Sequence, residues 1–267
     1  MQHAAVPGSA LAIVTVIDAH SAVMNRYTGE TLVHIRTIVA PATIGTSDHM
    51  GDSPRLTYHS GTRGETASAA KQRASAGALR DFVTHVSHAV AEAAATAEWI
   101  VIGGTDRDVR ELEKALVKCR VSQPVVRAAL HRGLAVKSVL ARVAAAIAAE
   151  RDVRELKDVE TLLERTGAHT TGVVGAVASM DVAERGAAGA IFMTPRFQHE
   201  HPHIAQRLIG IATAHRGRVV TVANAGAELL DAQGGGVGAL LRYAPYKAER
   251  FDVSTDRGRV NDRWNDS

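Results

Sequence analysis

The feature that most constrains the fold is one long helical pattern within residues 61–98. Apolar side chains recur in it at intervals of three and four residues, the spacing of one face of an α-helix. These positions are Leu79, Phe82, Val83, Val86 and Val90. An apolar run at residues 99–103 follows directly and predicts a strand. The two patterns together predict a single helix that packs its apolar face on a sheet.

A short basic loop precedes this helix. It reads Gly61-Thr62-Arg63-Gly64, and Thr62 with Glu65 has the spacing of a helix capping box. Lys71 and Arg73 lie on the first turns of the predicted helix. The segment therefore predicts a polar, cationic tip mounted on a rigid element.

The global charge is weak evidence for a nucleic-acid partner, because the formal net charge is only +3. The local distribution is more informative. Residues 107–142 carry nine Lys or Arg against three acids, so their net charge is 9 − 3, or +6. Such a field attracts phosphates. A solvated helix face explains the same pattern equally well.

A chain of 267 residues suggests two domains of ordinary size. Its one cysteine, Cys119, cannot form an intramolecular disulfide, which fits a reducing compartment. The first apolar run, at residues 10–17, is too short to span a bilayer and has no cationic segment before it. We therefore expect a cytoplasmic protein without a signal peptide or membrane span.

The order of the patterns predicts a first α/β domain over residues 1–130. Runs at 10–17, 21–27 and 32–39 predict a three-stranded meander, and a long surface loop covers 41–60. After the long helix come a strand at 99–103, a helix at 108–118 and a short strand near Val125.

A second α/β domain is predicted over residues 134–243, because helical and strand patterns alternate there. The helical patterns cover 134–147, a second helix through Val159–Leu163 that stops at Gly167, 203–215 and 225–230. Strands are predicted at 189–193, 218–223 and 239–243, and residues 173–182 fit either state. The polar tail, residues 244–267, is predicted to be disordered.

Three alternating histidines, His199, His201 and His203, suggest a metal site, because an extended segment can place such imidazoles on one side. Pro202 suits the start of a helix, so a polar cap is the favoured interpretation. No other metal site is expected.

Two further motifs have a catalytic or phosphate-binding interpretation. Asp18, after the first strand, is a candidate nuclease carboxylate, but two-metal chemistry needs acids on the neighbouring strands, which carry Asn25, His34 and Arg36 instead. A turn aspartate is favoured. The pair Gly103-Gly104 lacks the spacing of a dinucleotide or phosphate loop, so a helix-capping turn is favoured there.

The end of the second domain resembles a known family. Its residues Arg218–Val222, Ala227–Leu230 and Gly235–Tyr243 are similar to the end of the third domain of archaeal and eukaryotic class-one peptide-chain release factors. A glycine turn leads there into an apolar strand that ends Leu-Arg-Tyr. The meander that begins Val14–Asp18, the loop and the long helix resemble the middle domain. The resemblance covers residues 10–243 and is greatest to bacterial relatives of these factors.

The resemblance implies a fold and a partner. It implies a ribonuclease-H-like sheet with one long helix, then an α/β/α domain like that of kink-turn-binding ribosomal proteins. It implies binding to the ribosome near the tRNA site, with no cofactor. The loop tip would contact rRNA or tRNA through Gly61, Arg63, Gly64, Lys71 and Arg73. The second domain would dock on ribosomal elements or on a translational GTPase.

The chain departs from the family at the catalytic loop, because the sequence contains no Gly-Gly-Gln. Glu65 stands near the expected position, but an ionised carboxylate cannot donate a hydrogen bond to a developing oxyanion. We therefore expect occupation, rescue or recycling of the ribosome without ester hydrolysis. Two alternatives stay open: a peptidyl-tRNA hydrolase that uses Glu65, and a small-molecule or metal-binding stress protein.

Overall fold

The computed structural model describes residues 10–41 and 67–243. The chain divides into two compact units, Met1–Glu150 and Arg151–Ser267. Each unit has its own sheet and its own apolar cores, which confirms the predicted two-domain α/β class. None of the described helices is long and apolar enough to cross a lipid bilayer.

The first unit contains a mixed sheet of five strands. The strands are β1 (Ala10–Ile17), β2 (Ser21–Tyr27), β3 (Leu32–Val39), β4 (Ala97–Gly104) and β5 (Val125–Arg127). Their order in the sheet is β3-β2-β1-β4-β5. β1, β2 and β3 are antiparallel neighbours, whereas β4 runs parallel to β1 and to β5. The predicted meander is confirmed, and a mixed sheet followed along the chain by one long helix agrees with what the resemblance implies for this domain.

Three helices accompany this sheet along the chain. They are α1 (Ala67–Ala93), which a short 3₁₀ turn (Ala94–Thr96) follows, α2 (Asp106–Lys118) and α3 (Val136–Gly167). Thr105 caps α2, because its hydroxyl accepts a hydrogen bond from the backbone N–H of Asp108 at 3.3 Å. The Asp108 carboxylate accepts in turn from the Thr105 hydroxyl at 2.7 Å. The predicted helix start is thus confirmed within two residues.

Side chains alternate across β1 and fill two cores, one on each face of the sheet. Ile13 and Ile17 belong to the core that α1 and α2 cover, where Phe82 and Leu112 are also buried. Val14 belongs to the opposite core, which the first half of α3 covers through Val139, Val143 and Ile147. Continuous apolar strands are the expected result of burial on both faces.

One helix replaces the two that the sequence predicts between residues 134 and 167. α3 continues from Val136 to Gly167 without a break. The stretch contains no proline and no glycine before Gly167, so nothing in it stops a helix, and its charged middle lies at the surface. The division between the two units falls inside α3, at 150/151, beyond the turn at 130–134 where the sequence analysis places the domain limit.

The second unit contains a sheet of four strands. They are β6 (Gly172–Val174), β7 (Ala188–Met193), β8 (Arg218–Thr221) and β9 (Val237–Leu241). Their order is β6-β9-β7-β8, with β9 antiparallel to both of its neighbours and β7 parallel to β8. The last strand starts two residues before the prediction, because the glycine turn already ends at Gly236.

Helices cover both faces of this second sheet. They are α4 (Ala176–Glu184), α5 (Pro195–Glu200), α6 (Pro202–Ala214) and α7 (Asn224–Gly234). Ile191 and Met193 pack in a core with residues of α4 and α6, whereas Phe192 packs with Leu162 and Leu230 on the other face. The ambiguous stretch 173–182 contains both a strand end and a helix. The resulting three layers agree with the α/β/α arrangement that the resemblance implies.

Candidate functional site

The candidate site predicted from the sequence lies at the start of α1. The later part of this helix is anchored, because Phe82, Val83, Val86 and Val90 are all buried in the core on one face of the sheet. The described side chains from Arg73 to Leu79 are exposed or half buried. α1 therefore has a fixed end against the sheet and an accessible end toward its N-terminus.

The structure describes only some of the predicted tip residues. Gly61, Arg63, Gly64 and the catalytic candidate Glu65 lie outside the described residues. Lys71 lies in α1, within the turns whose side chains are not described, and Arg73 is exposed there. Their roles in RNA contact and catalysis stay predictions.

The cations of residues 107–142 separate into two groups. Three of them are held by distant partners on the same unit: Arg127 forms a two-point contact with Glu113, Arg132 reaches Asp18 at 3.4 Å, and Arg142 donates to the carbonyl of Ala129. The hydrogen bond from Arg127 to Glu113 raises the pKa of that guanidinium. The others lie on or beside α2 and α3 and face solvent.

Asp18 is a turn residue. One of its carboxylate oxygens accepts hydrogen bonds from the backbone N–H groups of His20 and Ser21, both at 2.8 Å. The other oxygen faces Arg132. This arrangement closes the β1–β2 turn in the manner of an aspartate side chain that mimics a backbone turn, as the favoured interpretation holds.

Gly103 and Gly104 have a packing role. A Cβ atom on Gly103 would lie 2.4 Å from the Cβ of Leu130, and one on Gly104 would lie 1.9 Å from the carbonyl oxygen of Ile17. Gly104 also has a φ of +142°, which side chains disfavour. The pair therefore lets the end of β4 approach β1 and the segment after β5.

The histidine segment joins two helices. His201 ends α5 and precedes α6, and its ring lies 5.2 Å from the ring of Phe197. His199, His201 and His203 are all exposed. Glu200 is paired with Arg196 at 2.8 Å, and that hydrogen bond lowers the pKa of the Glu200 carboxyl. In residues 10–41 and 67–243, no three His, Cys, Asp or Glu side chains form a group that could hold a metal ion.

The glycine turn of the resemblance connects α7 to β9. Gly235 adopts the left-handed conformation at the end of α7, and its N–H donates to the carbonyl of Leu230. Asp231, in the last turn of α7, accepts a hydrogen bond from the hydroxyl of the buried Thr194 at 2.7 Å. Gln233 is exposed beside the turn. The motif that resembles release factors therefore connects α7 to β9 and has a structural role in the second unit.

Comparison with solved structures finds translation factors. The chain is similar to ribosome-bound archaeal Pelota, described together with ABCE1, with a TM-score of 0.55 and 17% identity over 88% of this chain and 62% of Pelota. It is also similar to Dom34 of S. cerevisiae, a termination-like factor involved in RNA quality control pathways and interacting with Hbs1. For two structures of Dom34 the TM-scores are 0.55 and 0.56, with 13% identity over 88–89% of this chain.

The fold is similar to that of Pelota and Dom34. The chain spans 62–65% of the length of these structures. No protein-family model matches the chain, and no curated protein matches it. The similarity to release-factor-like proteins therefore rests on the comparison of structures. Sequence identities of 13–17% establish a similar fold and nothing further.

Two polar contacts of the second unit are not predictable from the sequence. The Thr194–Asp231 contact joins residues 37 positions apart, and the Glu155 carboxylate accepts the N–H of Ala223 at 3.0 Å across 68 positions. Glu155 satisfies one of the free backbone donors that precede α7. A Thr followed by Pro195 is a local sign of a helix cap, but neither carboxylate partner has a local signature.

Proposed function

We propose that the protein binds the ribosome near the tRNA site and acts in translation rescue or recycling, or in the occupation of idle ribosomes. The observation that carries this proposal is the similarity to ribosome-bound Pelota over 88% of the chain. The order of a basic loop, an anchored helix and a second α/β unit supports it, because these are the parts that the release-factor resemblance implies.

The proposed function does not include ester hydrolysis. A hydrolytic loop needs hydrogen-bond donors directed at the developing oxyanion, and the sequence has no Gly-Gly-Gln. Glu65, the nearest candidate, repels such an oxyanion when it is ionised. The protein would therefore act by occupying a site and not by cleaving peptidyl-tRNA.

The loop before α1 is the proposed contact with rRNA or tRNA. Arg63 lies in the segment bounded by Gly61 and Gly64, and glycines let a backbone approach a ligand closely. Lys71 and Arg73 follow on the first turns of α1, and the buried later turns hold this helix on the sheet. Cations at the end of a fixed helix suit phosphates in a groove that a flat face cannot reach.

The second unit is the proposed docking surface for a protein partner, either a ribosomal element or a translational GTPase. Dom34 is described as interacting with Hbs1, and ribosome-bound Pelota is described together with ABCE1. We propose a partner of this kind for the second unit. Purification of the chain bound to ribosomes, followed by identification of the proteins that co-purify, would identify it.

Ribosome co-sedimentation of the full chain over a salt series tests the proposal. Neutralising Arg63, Lys71 and Arg73 with glutamine should weaken binding by roughly 1 kcal/mol per phosphate contact and should flatten the dependence on salt. Failure of the wild-type chain to sediment with ribosomes would overturn the proposal.

The control for this experiment removes the same number of charges from the C-terminal tail. Lys247, Arg250 and Arg257 are the positions to neutralise. Binding that survives the loop change and is lost with the tail change would show that the tail, and not the loop, contacts the ribosome.

A peptide-release assay separates the proposed function from its hydrolytic alternative. Ribosomes that carry peptidyl-tRNA should release little peptide in the presence of the wild-type protein. Turnover that is lost on Glu65→Ala would instead make Glu65 a general base and the protein a hydrolase.

A further inference from the structure

The outward face of α2 is a row of cations. Val109, Leu112 and Leu116 bury the opposite face in the core, so the orientation of the helix is fixed. The exposed positions follow one another at intervals of three and four residues, the spacing of a single helix face. The cations on this face, here named the α2 basic face, are Arg107, Arg110, Lys114 and Lys118.

Like charges adjoin one another along the α2 basic face. Arg110 lies three residues from Arg107 and four from Lys114, and Lys114 lies four from Lys118, so like charges are neighbours along the row. Such pairs destabilise a helix by a few tenths of a kcal/mol each. Arg107 lies in the first turn of α2, where the macrodipole disfavours positive charge, whereas Lys118 lies in the last turn, where the macrodipole favours it. The gains and losses for the helix are of the same small size, so helix stability alone does not account for the row.

Acidic side chains of α2 cancel part of this charge. Glu111 is the acid on this face, and it forms an exposed ion pair with Lys114 at 2.8 Å. The hydrogen bond from Lys114 lowers the pKa of Glu111, and the charges of Arg107 and Lys118 lower it further. Glu113 points to Arg127, and Asp108 is buried against Thr105. Asp106, the first residue of α2, is exposed and is the fourth acid of this helix. The four cations against the two acids left at the helix surface, Asp106 and Glu111, give a net charge of 4 − 2, or +2.

We propose that the α2 basic face binds the sugar-phosphate backbone of an RNA helix, as a second RNA contact distinct from the loop before α1. This inference rests on the proposed function and names a surface for it. Neighbouring positions in the row are about 5–6 Å apart, so the four cations form a line that can follow successive phosphates of one strand. Backbone contacts of this kind position a protein without reading the base sequence.

The chemistry of this face favours RNA over a membrane. A helix that binds a lipid surface carries large apolar residues beside its cations, whereas the apolar side chain exposed on this face of α2 is Val117. An acidic protein surface is the other possible partner, and the experiment below distinguishes it from RNA.

The test uses the full chain with Arg107, Arg110 and Lys118 all changed to glutamine, which leaves the Lys114–Glu111 pair intact. The probe is a labelled RNA hairpin with a stem of about 16 base pairs, and fluorescence anisotropy gives its affinity between about 50 and 200 mM salt. We expect the affinity to fall roughly tenfold or more, and the slope of log affinity against log salt to decrease by about 2–3.

The matched control removes three exposed cations from the second unit. Arg185, Arg196 and Arg207 each form a surface ion pair with a glutamate or aspartate, and all three are changed to glutamine. This control should bind the hairpin within about twofold of the wild-type chain, since paired cations attract phosphates less. The α2 variant should melt within a few degrees of the wild type, because its exposed substitutions remove repulsion between like charges and attraction to Glu111 together.

Each result decides the inference. Equal hairpin affinity of the α2 variant and the wild type would overturn it. A wild-type chain that does not bind the hairpin, with ribosome co-sedimentation that still depends on the α2 cations, would assign the face to an acidic protein and would also overturn it. Hairpin binding that needs the α2 cations, in a chain that does not sediment with ribosomes, would support the inference while the proposed function fails.

Discussion

The hydroxyl of Thr194 connects two helices of the second unit through one oxygen atom. It donates to the carboxylate of Asp231 at 2.7 Å and accepts from the N–H of Phe197 at 3.1 Å. The first bond holds the last turn of α7, and the second caps α5. Thr194 is fully buried, so neither bond can be replaced by water without a rearrangement.

Thr194→Val should therefore destabilise the second unit by about 1–3 kcal/mol, because the change removes a helix cap and leaves Asp231 without this donor. Thr194→Ser keeps the hydroxyl and should restore most of the loss. Urea unfolding followed by circular dichroism measures the difference. Equal stability of the valine and serine variants would show that the hydroxyl is unimportant.

Phe82→Ala should destabilise the first unit by about 3–5 kcal/mol, since the ring is almost fully buried between α1 and the sheet. The neighbouring His85 is exposed, and His85→Ala should change stability by less than about 0.5 kcal/mol. Denaturant midpoints of both variants test the prediction. A small effect of Phe82→Ala would mean that α1 is not packed on the sheet as described.

Gly104→Ala should prevent normal folding of the first unit, because the new methyl group would overlap the carbonyl oxygen of Ile17 on the paired strand. Gly77→Ala is the matched control: this glycine lies in the interior of α1, and nothing lies within 4 Å of an added Cβ. The control should gain about 0.5–1 kcal/mol. Soluble yield and thermal melting are the measurements, and a tolerated Gly104→Ala would contradict the close approach of β1 and β4.

Stability at alkaline pH should depend on Tyr27. Burial raises the pKa of its hydroxyl, so the folded state keeps the proton to a higher pH than the unfolded state does. This contribution is fully present below the ordinary pKa of about 10 and is lost as pH rises through the higher folded value. Tyr27→Phe should reduce the loss of stability above about pH 10, measured by urea unfolding at several pH values.

The control for this titration is Tyr243→Phe, because Tyr243 is 61% exposed. The alkaline loss of stability should be the same in this variant as in the wild type. A Tyr27→Phe variant with the full alkaline loss would show that another group is responsible.

The candidate site is only partly predictable from the sequence. The stripe of α1 predicts which side chains anchor the helix, and the structure buries Phe82, Val83, Val86 and Val90 accordingly. The loop residues from Gly61 to Glu65 lie outside the described residues, so their function stays a prediction. The α2 basic face is visible in the sequence only as a region of net charge. The structure separates its four cations from the others of residues 107–142, because it shows that Arg127, Arg132 and Arg142 are held by partners elsewhere in the first unit.

Sequence by itself determined the elements whose patterns are local. The apolar runs of β1 to β3 and the three-to-four spacing of α1 are properties of neighbouring residues, and these four elements form where the patterns predict them. Only the tertiary structure decided the sheet order β3-β2-β1-β4-β5 and the contacts that join Thr194 to Asp231 and Arg132 to Asp18. The two contacts join residues 37 and 114 positions apart. No local period encodes such a pairing, because it is fixed by which apolar faces bury one another when the chain closes.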